Sequence, residues 1–172
     1  MKHIFLDFDR TLFDTERFYN SLELTYIEGI IAGNIGADFS RFLYPDVLGF
    51  IWNVRAAGFC CHLLTFGRRS VQECKFKLSS LEPYFDQMFY VEQGSKAEII
   101  KNYLDSGVSC EKVVFIDDTL EHLEAFVAVI PNGQAIRMAR PGAKGSEISN
   151  NKFAVFKDLN PVYECLMASN FM

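Results

Sequence analysis

The sequence predicts an α/β fold built on a mostly parallel β-sheet. Two observations indicate this class: short, nearly continuous apolar runs recur along the chain, and helical patterns lie between them. A strand buried on both faces of a parallel sheet reads as such a run, whereas a half-exposed strand alternates apolar and polar residues. Five runs are predicted strands: Ile4–Phe8, Phe59–Leu64, Met88–Val91, Val113–Ile116 and Gln134–Met138.

The segment between the first two strands departs from this alternation. From Phe13 to about Phe42 it reads as helical and then as a loop through Gly33-Asn34-Ile35-Gly36. Tyr44-Pro45 opens a further helical pattern that runs towards Ala57. We therefore predict a small helical insertion at about residues 14–45.

The helix after the third strand has the clearest limits. Ser95 and Glu98 have the spacing of a capping box, and Gly107 stands where a glycine commonly ends a helix. A second helix is predicted after Asp118, and Pro131-Asn132-Gly133 ends it with turn-forming residues. Each helix thus separates two predicted strands, as a parallel sheet requires.

Composition limits the classes of protein to which the chain can belong. Its 172 residues suit one domain, which we place at residues 1–172, and a hydrophobic content of 49% allows a sizeable core. The net charge of −5 argues against binding to duplex nucleic acid. A local site can nevertheless bind a small anion.

The expected cellular location is the cytoplasm. No signal-peptide pattern opens the chain, and no apolar run approaches the ~20 residues that a membrane-spanning helix needs. The five cysteines have no zinc-ligand spacing and are predicted to be free thiols in a reducing compartment. We expect no association with a membrane.

Two carboxylates follow the first predicted strand. Asp7 and Asp9 end an apolar run, and ligands in open α/β sheets bind at the carboxyl ends of the strands. Two buried like charges are costly unless they share a cation or a proton. The alternative is that Asp9 and Thr11 only open a turn, which Asp7 caps.

Three later segments carry polar residues at comparable places. Thr65 and Gly67 follow the second apolar run, and Asp117-Asp118 follows the fourth. Lys96 stands at a helix start, where a positive charge is unfavourable against the helix dipole. This position indicates a function for Lys96, with a solvated surface lysine as the alternative.

The order Asp-x-Asp-x-Thr, Thr, Lys, Asp-Asp resembles that of the haloacid dehalogenase-like hydrolase superfamily, over roughly Ile4 to Glu121. The second acid, Asp9, is typical of its phosphatase branch. The resemblance implies a Rossmann-like three-layer sandwich and a magnesium-dependent phosphatase that forms an aspartyl-phosphate. Only 54 residues separate Thr11 from Thr65, which leaves room for a reduced cap.

The resemblance also implies catalytic roles. Asp7 would be the nucleophile, and Asp9 the general acid and then the general base. Lys96 would offset the charge of the phosphate and of Asp7. The residues expected to bind the phosphate are Thr65, Phe66, Gly67 and Lys96, with the backbone N–H groups of Phe66 and Gly67 as donors.

Magnesium is the expected cofactor, because converging acids would repel a phosphate unless a hard cation lay among them. The expected ligands are Asp7, Asp117 and the backbone carbonyl of Asp9. Asp118 either contributes through water, or orients its neighbour, or caps the following helix with Glu121 at capping spacing.

Two other functions stay open at this level: a receiver-like domain that is phosphorylated on aspartate, and a catalytically idle binding module. Receiver domains carry their acidic pair near the N-terminus, whereas here the pair follows Lys96. The sequence does not specify the phosphorylated substrate, since a reduced cap suits either an open site or a small lid. The histidines have no mutual metal-ligand spacing and are interpreted as packing or surface residues: His3, His62 and His122.

Overall fold

A computed structural model describes residues 1–21, 29, 32, 37–144 and 152–168 of the chain. In these ranges one sheet contains six parallel strands: β1 (Lys2–Leu6), β2 (Phe59–Phe66), β3 (Gln87–Val91), β4 (Lys112–Asp117), β5 (Gln134–Met138) and β6 (Ala154–Phe156). Their spatial order is β3-β2-β1-β4-β5-β6. The predicted parallel α/β fold is confirmed, and each of the five predicted strands overlaps an observed one.

Six α-helices connect or flank the strands in the described ranges. They are α1 (Thr15–Ser21), α2 (Val47–Ala56), α3 (Arg69–Leu78), α4 (Lys96–Asp105), α5 (Leu120–Val129) and α6 (Leu159–Ala168), with short 3-10 helices at Ser40–Phe42 and Glu82–Tyr84. The predicted limits of α4 are confirmed, because Ser95 Oγ accepts a hydrogen bond from the N–H of Ala97 and Gly107 has a φ of 93°.

Alternate side chains of the strands point to two separate cores. Ile4 and Leu6 of β1 belong to a buried cluster that includes residues of α2, α3 and α6. Phe5 of β1 and Phe115 of β4 belong to a second cluster, with residues of α4 and α5. Because successive side chains of a strand face opposite sides of the sheet, helices cover both faces and the molecule has three layers.

The predicted insertion at about residues 14–45 is described only at its two ends. Helix α1 and the 3-10 helix Ser40–Phe42 belong to these ends. Residues 22–28, 30, 31 and 33–36, with the predicted loop through Gly33 and Gly36, lie outside the described residues. Within the described ranges, no helix combines the length and the hydrophobicity that a bilayer crossing requires.

The register of the central strands brings distant parts of the sequence to one edge of the sheet. Leu6 pairs with Leu63 of β2 and with Ile116 of β4. The N–H of Asp7 donates to the carbonyl of Ile116 over 2.9 Å. The carboxyl ends of β1, β2 and β4 therefore lie side by side, as Asp7, Thr65 and Asp117 require in order to share a site.

Candidate active site

Three carboxylates meet where β1 and β4 end. Asp7, Asp117 and Asp118 each offer an oxygen atom, and these three oxygens lie within 4.8 Å of one another. Asp7 and Asp117 are buried, with exposed fractions of 4% and 0%, whereas Asp118 is half-buried. The acids that the sequence places far apart thus converge as predicted.

Lys96 lies among these acids. Its Nζ donates to Asp7 Oδ1 over 2.5 Å and to Asp117 Oδ2 over 2.8 Å, and the side chain is 2% exposed. Lys96 is the first residue of α4, so the helix directs it back towards the strand ends. The alternative of a solvated surface lysine is therefore wrong.

The three acids carry more negative charge than one lysine offsets. Burial, with a further contribution from the charge of Asp117, raises the pKa of Asp7 to about 7 in spite of Lys96. Burial and the charges of Asp7 and Asp117 raise the pKa of Asp118 to about 8. Burial also acts on Asp117, but Lys96 and His122 outweigh it and hold that pKa below its ordinary value.

The donor set fits a hard divalent cation. Carboxylate oxygens are the ligands that Mg²⁺ prefers, and a cation among them would offset both the burial and the mutual repulsion that raise the pKa values of Asp7 and Asp118. Asp7, Asp117 and Asp118 are the residues that could hold it. The backbone carbonyl of Asp9 stays a predicted ligand.

The side chain of Asp9 takes no part in this acidic cluster but pairs with a second lysine. Asp9 Oδ1 forms an ion pair with Lys75 Nζ and accepts from Thr15 Oγ1 over 2.7 Å, while Oδ2 accepts from Gln72 Nε2 over 2.8 Å. Burial raises the pKa of Asp9, but Lys75 and these hydrogen bonds outweigh it and hold the pKa below its ordinary value.

The turn that follows β1 sets the position of Asp9. The carbonyl of Phe8 accepts from the N–H groups of Leu12 and Phe13, both over 2.9 Å, and Arg10 has a φ of 58°. Thr11 belongs to this turn, and the guanidinium of Arg140 donates to its carbonyl over 2.9 and 3.1 Å. The turn interpretation is thus correct for Asp9 and Thr11, and it coexists with a site at Asp7.

Thr65 and its neighbours differ in what they offer a ligand. Thr65 is 1% exposed, and its Oγ1 makes no hydrogen bond to any described residue, so a bound anion could accept from it. The N–H of Gly67, however, donates to the carbonyl of Val91 over 2.9 Å. The expectation that Gly67 donates to phosphate is corrected by this bond, because its N–H extends the pairing of β2 with β3. The ring of Phe66 is exposed, and the role predicted for its N–H stays a prediction.

Asp118 does not cap helix α5. The helix begins at Leu120, so the capping position falls on Thr119, whose side chain makes no capping hydrogen bond. Instead, the N–H of Thr119 donates to Asp117 Oδ1 over 2.8 Å, and its hydroxyl donates to Asp118 Oδ1 over 3.2 Å. The helix start thus orients both acids, and the predicted capping role of Asp118 is wrong.

Sequence reasoning missed three residues of this site. His122 Nδ1 lies 3.1 Å from Asp117 Oδ2, and a carboxylate accepts, so Nδ1 is the donor. Gln72 and Lys75 bind Asp9 from the buried face of α3. The available sequence signals are their spacing of three residues on one helix face and the position of His122 five residues after Asp117.

No protein-family model matches the sequence of this chain. The chain is 28% identical over 162 residues to enolase-phosphatase E1 of Citrobacter koseri. The match covers 88% of this chain and 67% of that protein.

Two solved structures share the fold. One is assigned as a haloacid dehalogenase-like hydrolase of Burkholderia xenovorans (TM-score 0.76, 16% identity, 99% of both chains covered). The other is the L-2-haloacid dehalogenase of Xanthobacter autotrophicus (TM-score 0.63, 15% identity, 97% of this chain and 98% of that chain covered).

The parallel sheet, and the acids that meet Lys96 at its edge, define an α/β domain with an acidic site where the strands end. The order of the four motifs and the curated relative add sequence evidence to that fold. In its fold and in the order of its four motifs, the chain is similar to haloacid dehalogenase-like hydrolases.

Proposed function

We propose that this protein is a phosphatase that hydrolyses a phosphate monoester with Mg²⁺, through a covalent intermediate on Asp7. One observation carries the proposal: oxygens of Asp7, Asp117 and Asp118 lie within 4.8 Å of one another, beside one buried lysine. Such a site has a charge surplus that a divalent cation would neutralise, and a phosphate could then approach.

A phosphate monoester is favoured over a halogenated substrate for a chemical reason. The fold alone does not decide, since the Xanthobacter autotrophicus relative is a dehalogenase. A halide leaves as a stable anion, whereas the oxygen of an ester leaves more easily when it receives a proton. Asp9 offers an acid beside Asp7, and the buried hydroxyl of Thr65 offers a donor for a phosphoryl oxygen.

In the first step, a carboxylate oxygen of Asp7 attacks phosphorus and the bond from phosphorus to the leaving oxygen breaks. Asp9 gives its proton to that oxygen, and the alcohol departs. Asp9 is held ionised in the free protein. A phosphate dianion beside it raises its pKa, because like charges disfavour the carboxylate, and so favours the protonated form that this step needs.

In the second step, a water molecule attacks the phosphorus of the aspartyl-phosphate. Asp9 accepts the proton of the water, the bond between phosphorus and Asp7 breaks, and inorganic phosphate leaves. Lys96 keeps its positive charge throughout, since the neighbouring acids raise its pKa above the ordinary value in spite of burial. When bound by Asp7, Asp117 and Asp118, Mg²⁺ supplies positive charge that offsets the phosphate.

Substitution of Asp7 tests the proposal. Asp7→Asn keeps the shape of the side chain but removes the nucleophile, so turnover of an aryl phosphate with Mg²⁺ should fall by about a thousandfold or more. The matched control is Asp105→Asn, because Asp105 is an exposed residue of α4 and its ion pair with Lys101 lies at the surface. Unchanged turnover in Asp7→Asn would refute the mechanism.

Trapping experiments separate the proposal from its two alternatives. Acid quenching during turnover should give a phosphoryl adduct on Asp7, detected by mass spectrometry, together with released phosphate. A stable adduct from acetyl phosphate without release would favour a receiver-like domain. Failure of Mg²⁺ with beryllofluoride to raise the melting temperature would favour an idle binding module.

The setting of the activity is also a proposal. Four cysteines are free thiols, Cys60, Cys61, Cys74 and Cys110, which suits a reducing compartment, and we place the protein in the cytoplasm. The substrate is a phosphorylated compound whose identity a panel of metabolites, nucleotides and phosphopeptides would reveal.

A further inference from the structure

A second buried lysine, Lys75, contacts Asp9 in the turn that follows β1. Lys75 of α3 is 1% exposed, and its Nζ lies between 5.0 and 5.8 Å from the centres of four aromatic rings: Phe8, Phe13, Phe18 and Tyr19. The faces of aromatic rings attract a cation but do not neutralise its charge. The anion that pairs with this lysine is Asp9.

Both oxygens of Asp9 are held by donors from two helices. Lys75 and Gln72 reach it from α3, and the hydroxyl of Thr15 reaches it from α1. Gln72 Nε2 also lies 3.2 Å from the carbonyl of Phe66, next to Thr65. These contacts fix the rotation of the Asp9 carboxylate, while the side chain keeps 23% of its surface exposed for a reacting partner.

We propose that Lys75 and Gln72 are positioning residues, which hold the Asp9 carboxylate in the orientation from which it exchanges a proton with the leaving oxygen. This inference rests on the proposed phosphatase function and extends it to residues outside the four motifs. A buried lysine is costly unless an anion pairs with it. The aromatic rings around Lys75 leave its ammonium directed towards Asp9, which is that anion.

The four rings form a cage around Lys75, and this cage connects the start of the predicted insertion with Asp9. Phe18 and Tyr19 belong to α1, as does Thr15, so one short helix supplies two walls of the cage and one donor to Asp9. A change in the position of α1 would therefore alter the hold on Asp9.

The test compares substrates that differ in their need for a proton. Phenyl phosphate has a basic leaving group and depends on the acid, whereas 2,4-dinitrophenyl phosphate has a weakly basic one and does not. Lys75→Met keeps the apolar stem of the side chain and removes its charge. With Mg²⁺, its kcat should fall by about tenfold or more on phenyl phosphate and by less than about threefold on the dinitrophenyl ester, a part of the ~10²–10⁴ that acid–base catalysis contributes.

A double-mutant cycle separates positioning from mere support of the fold. In an Asp9→Asn background, Lys75→Met should cause no further loss on phenyl phosphate, because its effect acts through Asp9. Lys77→Met is the matched control, since Lys77 is an exposed residue of the same helix, and it should retain wild-type kcat on both substrates. Gln72→Met repeats the test and decides it if circular dichroism shows that Lys75→Met is unfolded.

Equal losses on the two substrates, or an added loss in the Asp9→Asn background, would overturn the positioning role. Failure of the proposed function would look different, because the wild-type protein itself would then hydrolyse neither ester with Mg²⁺.

Discussion

Two buried lysines, Lys96 and Lys75, pair with the aspartates that follow β1, and their surroundings differ. Lys96 contacts Asp7 and Asp117, with Asp118 close behind, so negative charge is in surplus around it. Among the described residues, Lys75 forms its ion pair with Asp9 and is surrounded by aromatic rings, so charge is balanced there. Under the proposed function, the surplus of negative charge would attract a metal cation, and the balanced pair would hold a single carboxylate in place.

The helices that carry these lysines reinforce the contrast. Lys75 lies in the last turn of α3, where a positive charge is favourable, whereas Lys96 is the first residue of α4, where it is unfavourable. The neighbouring acids must therefore offset two costs of the Lys96 charge: its unfavourable interaction with the helix dipole and its burial. We expect Lys96 to be the more sensitive of the two to loss of its partners.

The largest expected effect comes from Lys96→Met. Without Mg²⁺ at pH 8, the substitution removes the ammonium that the buried Asp7 and Asp117 share and should lower the free energy of unfolding by about 3–5 kcal/mol. Denaturant unfolding measures this loss, and turnover of an aryl phosphate should fall at least about a hundredfold. Lys101→Met on the same helix is the control and should change stability by about 0.5 kcal/mol or less, because its pair with Asp105 is exposed. Equal effects of the two variants would remove the contrast between buried and surface lysines.

A smaller effect is expected from His122→Ala. His122 orients Asp117 by a hydrogen bond, and loss of such a support for a metal ligand typically weakens metal binding by about 10–100-fold. The measurement is the Mg²⁺ concentration that gives half-maximal activity. The neighbouring Glu121→Gln is the control, since Glu121 is exposed and should leave this concentration unchanged. An unchanged Mg²⁺ requirement in His122→Ala would show that Asp117 is held by Lys96 and Thr119 alone.

Magnesium should stabilise the protein more at high pH than at low pH. In the metal-free protein, the raised pKa values of Asp7 (about 7) and Asp118 (about 8) mean that the folded state binds protons more tightly than the unfolded state. Their contribution to stability is therefore present at low pH and is lost as pH rises towards 8. A cation must displace these protons, so binding is weaker below pH 7.

Melting temperatures with and without Mg²⁺ at pH 6 and pH 9 check this expectation. At a hundredfold excess over the dissociation constant, binding adds about 2.7 kcal/mol to the free energy of unfolding. Sodium chloride at matched ionic strength controls for screening. A larger Mg²⁺ shift at pH 6 than at pH 9 would contradict a carboxylate site.

The smallest expected effect concerns a buried histidine pair that contacts helix α4. His3 Nε2 donates to the carbonyl of Ser109, so its Nδ1 accepts from His62 Nε2, each over 3.0 Å. Burial and the neighbouring His3 lower the pKa of His62 to about 4. The unfolded state thus binds this proton more readily, and the contribution is lost as pH falls from about 6.5 to 4.

His62→Gln keeps a donor for His3 but cannot take up a proton. The variant should lose less stability than the wild type between pH 6.5 and 4, as measured by urea unfolding at several pH values. Because the acidic cluster acts in the opposite direction over this interval, the variant would also isolate the contribution of Asp7 and Asp118. An identical pH dependence in the two proteins would exclude His62 as its source.

Much of the site could be predicted because strand ends carry its main residues. Asp7, Thr65 and Asp117 follow apolar runs, and parallel strands bring their ends to one edge. Strand β6 was not predicted, since it has three residues that are only partly buried. The loss of Gly67 as a phosphate donor depends on the register between β2 and β3, which the sequence does not reveal.

The support around Asp9 was also beyond prediction. Lys75 is 66 positions away from Asp9 in the sequence, and on α3 it looks like any other lysine of a charged helix. Its packing against four rings and its ion pair with Asp9 distinguish it from Lys77, and such contacts are a property of the folded chain.

The place of β1 in the middle of the sheet has a consequence for biosynthesis. Asp7 is synthesised before the strands that pair on either side of β1. Contacts between such distant segments form slowly. In a nascent chain the acidic cluster around Asp7 therefore stays incomplete until β4 has been translated and paired, so a truncated product that ends before Asp117 should lack the proposed phosphatase activity.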